Sequence, residues 1–210
     1  MSRSRSLYIV DYGAGNLRSV QKAFEHVGVD AQVGSDCQAI REAPGLVLPG
    51  VGAFGAAAAQ LREKGLVEPL LSRIEAGVPF LGVCLGLQLL FEASEEDPGV
   101  PGLGLVRGDV RALPPTVKVP HIGWNQVEAC TCSDLFDGIP EASAFYFVHG
   151  YAVVPRGPGD VLSMTDYDGV TFVSAIEVDN LVGVQFHPEK SSVLGLHFFR
   201  NFARRAGLAA

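Results

Sequence analysis

Two stretches of the sequence carry residue types that can do covalent chemistry together. The first, "VPFLGVCLGLQLLF" (Val78–Phe91), sets a single cysteine, Cys84, between Gly82 and Gly86 where an apolar run changes its period. A strand pattern ends there and a helical pattern begins, so Cys84 falls on a sharp strand-to-helix turn. That layout is the nucleophile elbow G-x-S-x-G with sulfur in place of oxygen. A thiol so placed gains from the helix amino terminus, which favours thiolate, and the Leu85 N–H points where an oxyanion would form. A lone cysteine is most often a small core residue. Glycines on both sides, at the carboxyl end of a strand, weigh against that reading here.

The second stretch, "VGVQFHPEKSS", supplies a base and an orienter. In extended chain, residues i and i+2 project to one side, so His187 and Glu189 can form a hydrogen-bonded pair, with Pro188 stiffening the backbone between them. With Cys84 they would make a Cys-His-Glu triad. The imidazole would deprotonate the thiol and later protonate a leaving amine, while the carboxylate fixes its tautomer. His-Pro-Glu alone is an ordinary turn; its joint occurrence with the cysteine elbow gives it weight. A third element, "LPGVGAF", follows another apolar run, and its Pro49, Gly50, Val51 and Gly52 form a backbone loop suited to donating N–H groups.

These groups meet only if their strands end on the same edge. The first half alternates short apolar runs ("LYIVDY", "AQV", "GLVLPG", "VPFLGV") with helical patterns, which predicts a parallel sheet with helices on both faces. "NLRSVQKAFEHVG" puts Leu17, Val20, Phe24 and Val27 on one helix face, with Asn16 as cap and Gly28 as stop. "AFGAAAAQLREKGLVEPLLSRIEAG" reads as a helix pair broken near Gly65 and Pro69. Ligands of such sheets sit beyond the carboxyl ends of the strands. In the second half, Pro-rich turns and the strand candidates "AFYFVHGYAVV", "VTFVSAIEV" and "LVGVQF" predict an antiparallel extension of the same sheet, closed by a helix from about Val193.

Composition narrows the function further. The 210 residues are 48% hydrophobic, enough for one domain with a sizeable core. Residues 7–210 are read as that domain and Met1–Ser6 as a disordered lead-in. The net charge of −7 and the lack of a basic stripe exclude nucleic acid as a partner. Leu7–Val10 is too short for a signal-peptide core, and Gly82, Gly86 and Gln88 interrupt the longest apolar stretch, so no membrane role is expected. Four scattered cysteines make no disulfide framework and point to the reducing cytoplasm; Cys37, Cys130 and Cys132 lack zinc-site spacing, and no metal is expected.

"GVCLGLQ" and "FHPE" together resemble the class I glutamine amidotransferases, whose glutaminase domains carry G-x-C-x-G-x-Q and a later F-H-P-E. "DYGAGNLRSV" (Asp11–Val20), "LPGVGAF", "KVPHIGWN" (Lys118–Asn125), "YFVHGY" (Tyr146–Tyr151) and "QFHPEKSS" (Gln185–Ser192) are similar to one branch of that family, the glutaminase subunits of imidazole glycerol phosphate synthases in histidine biosynthesis. The likeness runs from Leu7 to about Arg205. It implies an open, doubly wound, flavodoxin-like sheet. It also implies that Cys84 attacks the side-chain amide of L-glutamine, releases ammonia through a thioester and frees glutamate when water attacks. Cys84 would be the nucleophile, His187 the general base and acid, and Glu189 the orienter. The N–H groups of Val51 and Leu85 would form the oxyanion hole after the Gly50–Gly52 loop reorients.

Gly50, Gly52, Gln88 and the backbone of His149, Gly150 and Tyr151 would contact glutamine; Gly150 stands where the family pattern has Ser or Thr, which leaves a backbone contact. No cofactor is implied. The ammonia needs a second active site, and the branch's partner is a (β/α)8-barrel cyclase subunit. Asn16, Arg18, His121, Trp124, Asn125 and Lys190 would form the docking face. Three other readings compete: a catalytically silent scaffold, a stand-alone thiol hydrolase, and the glutaminase of another complex such as pyridoxal phosphate synthase. An intact triad disfavours the first, and the second leaves "PHIGWN" and "EKSS" unexplained.

Overall fold

The structure, a computed structural model, describes residues 6–209. Residues 1–5 of the expected lead-in lie outside the described residues, whereas Ser6 is buried and its hydroxyl hydrogen-bonds the Asp30 carboxylate. The first half runs β1 (Leu7–Val10), α1 (Leu17–His26), β2 (Ala31–Gly34), α2 (Cys37–Glu42), β3 (Leu46–Gly50), α3 (Phe54–Glu63), α4 (Val67–Glu75), β4 (Phe80–Cys84) and α5 (Leu85–Gln88). The second half runs β5 (Ala93–Ser94), β6 (Gly108–Ala112), β7 (His121–Ala129), β8 (Ser143–His149), β9 (Tyr151–Pro155), β10 (Val161–Tyr167), β11 (Val170–Val178), β12 (Leu181–Val184) and α6 (Ser192–Arg205).

One twelve-stranded sheet connects both halves, in the order β2-β1-β3-β4-β12-β11-β10-β7-β8, with β5, β6 and β9 branching from it. Strands β2, β1, β3, β4 and β12 are parallel neighbours, and β11, β10, β7 and β8 extend them antiparallel. The expected antiparallel extension is therefore present, but its last strand, β12, returns to the parallel half beside β4. That return brings the second chemical stretch next to Cys84.

Alternation along β1 shows how both faces are covered. Leu7 and Ile9 pack with Val20 and Phe24 of α1 and Phe198, Phe199 and Phe202 of α6. Tyr8 and Val10 face the other way, with Ile40 of α2, Phe54 and Leu61 of α3 and Leu70 of α4. Helix α1 ends at Gly28, whose φ of +83° a residue with a side chain rarely adopts. Asn16 stands at its N-cap position but its side chain makes no capping hydrogen bond. The α3/α4 break falls at Gly65, φ +66°; Pro69 lies in the first turn of α4, where its missing N–H is harmless.

Several elements have no counterpart in the sequence reading. Helix α2 is only six residues long. Strand β7 follows a Pro-rich turn, and "HIGWNQVEA" buries only His121 and Val127, so its alternation is masked by polar and aromatic residues on an open face. The run "AFYFVHGYAVV" is two strands: β8 pairs with β7, while β9 leaves at Gly150 to pair with β6 and β11.

Candidate active site

Register explains why the three chemical stretches meet. Strand β4 lies between β3 and β12, with Gly50 opposite Cys84 and Val184 opposite Val83. The residues just past those ends are Val51, Leu85 and Gln185–Glu189, so one sheet edge collects them all. Cys84 is 6% exposed and sits at φ 55°, ψ −108°, a strained conformation for a residue with a side chain. Gly82 and Gly86 are required by close backbone approach. A Cβ at Gly82 would lie 2.7 Å from the Gly86 carbonyl oxygen, and one at Gly86 would overlap the carbonyl oxygen of Leu48. The helix expected after Cys84 is a single turn, α5, so no long helix dipole acts on the sulfur.

His187 Nδ1 lies 2.8 Å from Glu189 Oε1, and both side chains are almost wholly buried. Burial opposes charge on the ring; the neighbouring Cys84 and the Glu189 carboxylate outweigh it and raise His187 to about 9. Nε2 is buried without a regular hydrogen bond, as is Glu189 Oε2. The Glu189 contact fixes the tautomer, and Nε2 remains free to exchange a proton with Cys84. Ser191 holds the turn in place: its Oγ donates to the His187 carbonyl at 2.6 Å and accepts the Tyr146 N–H at 3.0 Å.

A cavity of about 380 Å3 opens onto Cys84, lined also by Val51, Leu85, Gln88, Glu96 and Tyr151. Val51 and Leu85, whose amides are the expected oxyanion donors, both line this cavity. Gly50, Gly52, Gln88, His149, Gly150 and Tyr151 were expected to contact substrate; all but Gly50 line this cavity. Gly50 instead packs behind it, where an added Cβ would meet Leu85 Cβ at 2.9 Å and overlap the Tyr12 hydroxyl. The His149 ring points away, Nε2 to His121 Nδ1 at 3.0 Å and Nδ1 to the Tyr151 carbonyl at 2.9 Å, so only its backbone can serve a ligand. Burial pulls His149 down to about 3, against the hydrogen bond to Tyr151, and keeps it neutral. The sequence reading missed Glu96, a carboxylate facing the cavity and anchored by the Phe54 N–H at 2.9 Å. It belongs to an acidic turn that carries no motif.

The profile of the family described as "Glutamine amidotransferase class-I" matches residues 8–206. The chain belongs to the class-I glutamine amidotransferase family. Among its relatives, imidazole glycerol phosphate synthase subunit HisH of Moorella thermoacetica is 52% identical over 208 residues, 98% of this chain and 99% of that protein. The HisH subunit of Aquifex aeolicus is 53% identical over 199 residues, 94% and 96% of the two chains. A solved glutamine amidotransferase superposes with a TM-score of 0.72 at 22% identity, covering 95% of this chain and 98% of its own. PurLQS from Thermotoga maritima does so at 0.75 and 20%, covering 96% and 99%. At such identities these two likenesses concern the fold.

From the cavity rim outward, this amidotransferase carries an aromatic and basic row. Trp124 is 55% exposed, Tyr146 meets it edge-to-face at 6.2 Å, and Lys190 lies 5.6 Å over the Tyr146 ring. Helix α1 packs against the Pro188–Lys190 turn, and exposed Asn16 and Arg18 stand at its start. Asn125 is half-buried and spends its amide on the Asp166 carbonyl at 2.8 Å. The docking role expected for His121 needs correction: the ring is 2% exposed, stacked on Tyr167 and Phe147 and bonded to His149, so it supports the face from beneath. Among the described residues, no cluster of His, Cys, Asp or Glu could hold a metal ion, and no helix is long and apolar enough to cross a membrane.

Proposed function

We propose that this amidotransferase is the glutaminase subunit of an imidazole glycerol phosphate synthase, hydrolysing L-glutamine and passing ammonia to a cyclase subunit. The identity of about half the residues over nearly the full length of HisH subunits carries this reading. Enclosure of Cys84, Leu85 and Gln88 in one cavity, with the His187–Glu189 pair behind it, fits the chemistry.

The Cys84 sulfur attacks the side-chain carbonyl carbon of glutamine, and the oxyanion is held by the N–H groups of Leu85 and Val51. His187 Nε2 gives its proton to the departing nitrogen, so that ammonia leaves and a thioester remains. Water, deprotonated by the same nitrogen, then attacks the thioester; glutamate leaves and the thiol is restored. Glu96 is placed to receive the substrate's α-ammonium group, and the backbone of Gly150 and Tyr151 its carboxylate end. Ammonia released into water would take a proton and lose its nucleophilicity. A partner must therefore seal the cavity, and the Trp124–Tyr146–Lys190 row is the proposed seat for a (β/α)8-barrel cyclase. All four cysteines are free, which fits a reducing cytoplasm.

The test is glutamate production from glutamine by the purified chain, alone and with a cognate cyclase plus its nucleotide substrate. Low activity alone and strong stimulation in the complex are expected. High activity alone, unaffected by the cyclase, would redirect the assignment to another acceptor.

A further inference from the structure

In the segment "QFHPE", just past the end of β12, Gln185, His187 and Glu189 are the polar residues, while Phe186 turns into the core against Phe145, ring centroids 4.4 Å apart. The proposed mechanism uses the second and third of these polar residues. Gln185 is wholly buried, and its backbone N–H is pinned to the Ser174 carbonyl at 2.8 Å. Its side-chain Nε2 lies 3.6 Å from Cys84 Sγ and its Oε1 3.1 Å from Gln88 Nε2. We propose that Gln185 holds the Cys84 thiolate by donating a side-chain N–H to its sulfur, in an orientation locked by Gln88 and the Tyr151 carbonyl.

The lock follows from donor and acceptor inventories. The Tyr151 carbonyl can only accept, so Gln88 must turn its NH2 group to it, at 3.1 Å. The same NH2 group then faces Gln185, which must answer with its oxygen. Its nitrogen is thereby aimed at the sulfur; flipping either amide would oppose two donors or two acceptors. His149 Nδ1 donates to the same carbonyl, which ties Tyr151 down from the other side. Around the sulfur, the Val148 carbonyl at 3.8 Å accepts from the neutral thiol and so favours it over the anion. Gln185 supplies the opposing preference, a donor that is strongest when sulfur is charged.

This inference deepens the site of the proposed function and rests on Cys84 being its nucleophile. The experiment is alkylation of the native full chain by iodoacetamide, followed peptide by peptide by mass spectrometry from neutral to alkaline pH. Exposed Cys130 and Cys132 are internal references. Wild type, Gln185→Met and Gln185→Glu are compared; methionine keeps the length without a donor, and glutamate keeps the shape. At neutral pH, Cys84 in Gln185→Met should react about tenfold more slowly relative to the references, the difference closing as pH rises. Gln185→Glu should be slower still, because its carboxylate repels the thiolate. If the methionine variant does not fold, the isosteric glutamate variant decides alone. Wild-type rates in the variants, or one uniform slowing at every pH, overturn the proposal. A wild-type Cys84 that does not react at all in the native chain removes the nucleophile itself, and the Gln185 proposal with it.

Discussion

His187 Nδ1 and Glu189 Oε1 are 2.8 Å apart with both side chains buried, and the other ring nitrogen is left without a regular hydrogen bond. A buried histidine normally satisfies both nitrogens. One nitrogen committed to a carboxylate and one kept open is the arrangement a proton shuttle needs. Glu189→Gln preserves shape and removes the charge that supports the imidazolium. Glutamine hydrolysis should fall about a hundredfold, and Cys84 alkylation at neutral pH should slow with it. Ammonia-dependent synthesis by the assembled complex should persist, as it should in Cys84→Ala; loss of both activities in either variant would mean the site is structural.

The buried histidines give stability a definite pH dependence. His149, held at about 3 by burial, stays neutral in the folded chain while the unfolded chain takes up a proton below its ordinary value of 6.5. Stability is therefore lost as pH falls from about 6.5 towards 3, and His121, also lowered by burial, acts in the same direction. His187 has the opposite sign. Burial opposes its charge, but Cys84 and Glu189 raise it to about 9, so its contribution is complete below 6.5 and fades as pH rises through 9. Each group changes stability by up to about 1.4 kcal/mol per pH unit within its window. Urea unfolding midpoints should peak near 6.5, and His149→Phe should flatten the acid limb.

The elbow's geometry makes an equally direct prediction. Gly86→Ala drives a methyl group into the Leu48 carbonyl oxygen, backbone that cannot step aside without disturbing β3. Destabilisation of about 3 kcal/mol is expected, at the top of the usual overpacking range, visible as a lower thermal midpoint. Gly65→Ala is the matched control: its Cβ meets nothing within 4 Å, and only its φ of +66° is strained, so the loss should be smaller.

The parallel half was legible because strands buried on both faces read as unbroken apolar runs that stop at Gly or Pro, as in "GLVLPG" and "VPFLGV". The candidate residues Cys84, His187 and Glu189 were legible because a cysteine between glycines and a His–Pro–Glu run are local patterns. Strand β7 was not, since Asn125, Gln126 and Glu128 share it with an exposed Trp124 and leave little period to read. Burial of His121 depends on Tyr167, distant in sequence, closing over the ring. Glu96 reaches the cavity only because its turn folds back onto the start of α3, a long-range contact no spacing encodes. Gln185 is the exception among the residues missed, since it stands two positions before His187; Glu189, expected to reach His187 along extended chain, does so from a tight 3-10 turn over Pro188–Lys190 instead.

The exposed row ends in a test of docking. Trp124 is large, 55% exposed and supported edge-to-face by Tyr146, the kind of residue that anchors an interface when a partner desolvates it. Trp124→Ala should weaken cyclase binding by about 2 kcal/mol or more and leave the glutamine KM of the isolated chain within twofold or so, since Trp124 is absent from the cavity lining. Lys190 touches both regions, lying over Tyr146 and at the cavity rim. Lys190→Ala should therefore lower stimulation by the cyclase more than it raises KM. Isothermal titration with the cyclase and steady-state glutaminase kinetics separate the two effects. If Trp124→Ala binds the cyclase as the wild type does, the partner sits elsewhere on the molecule.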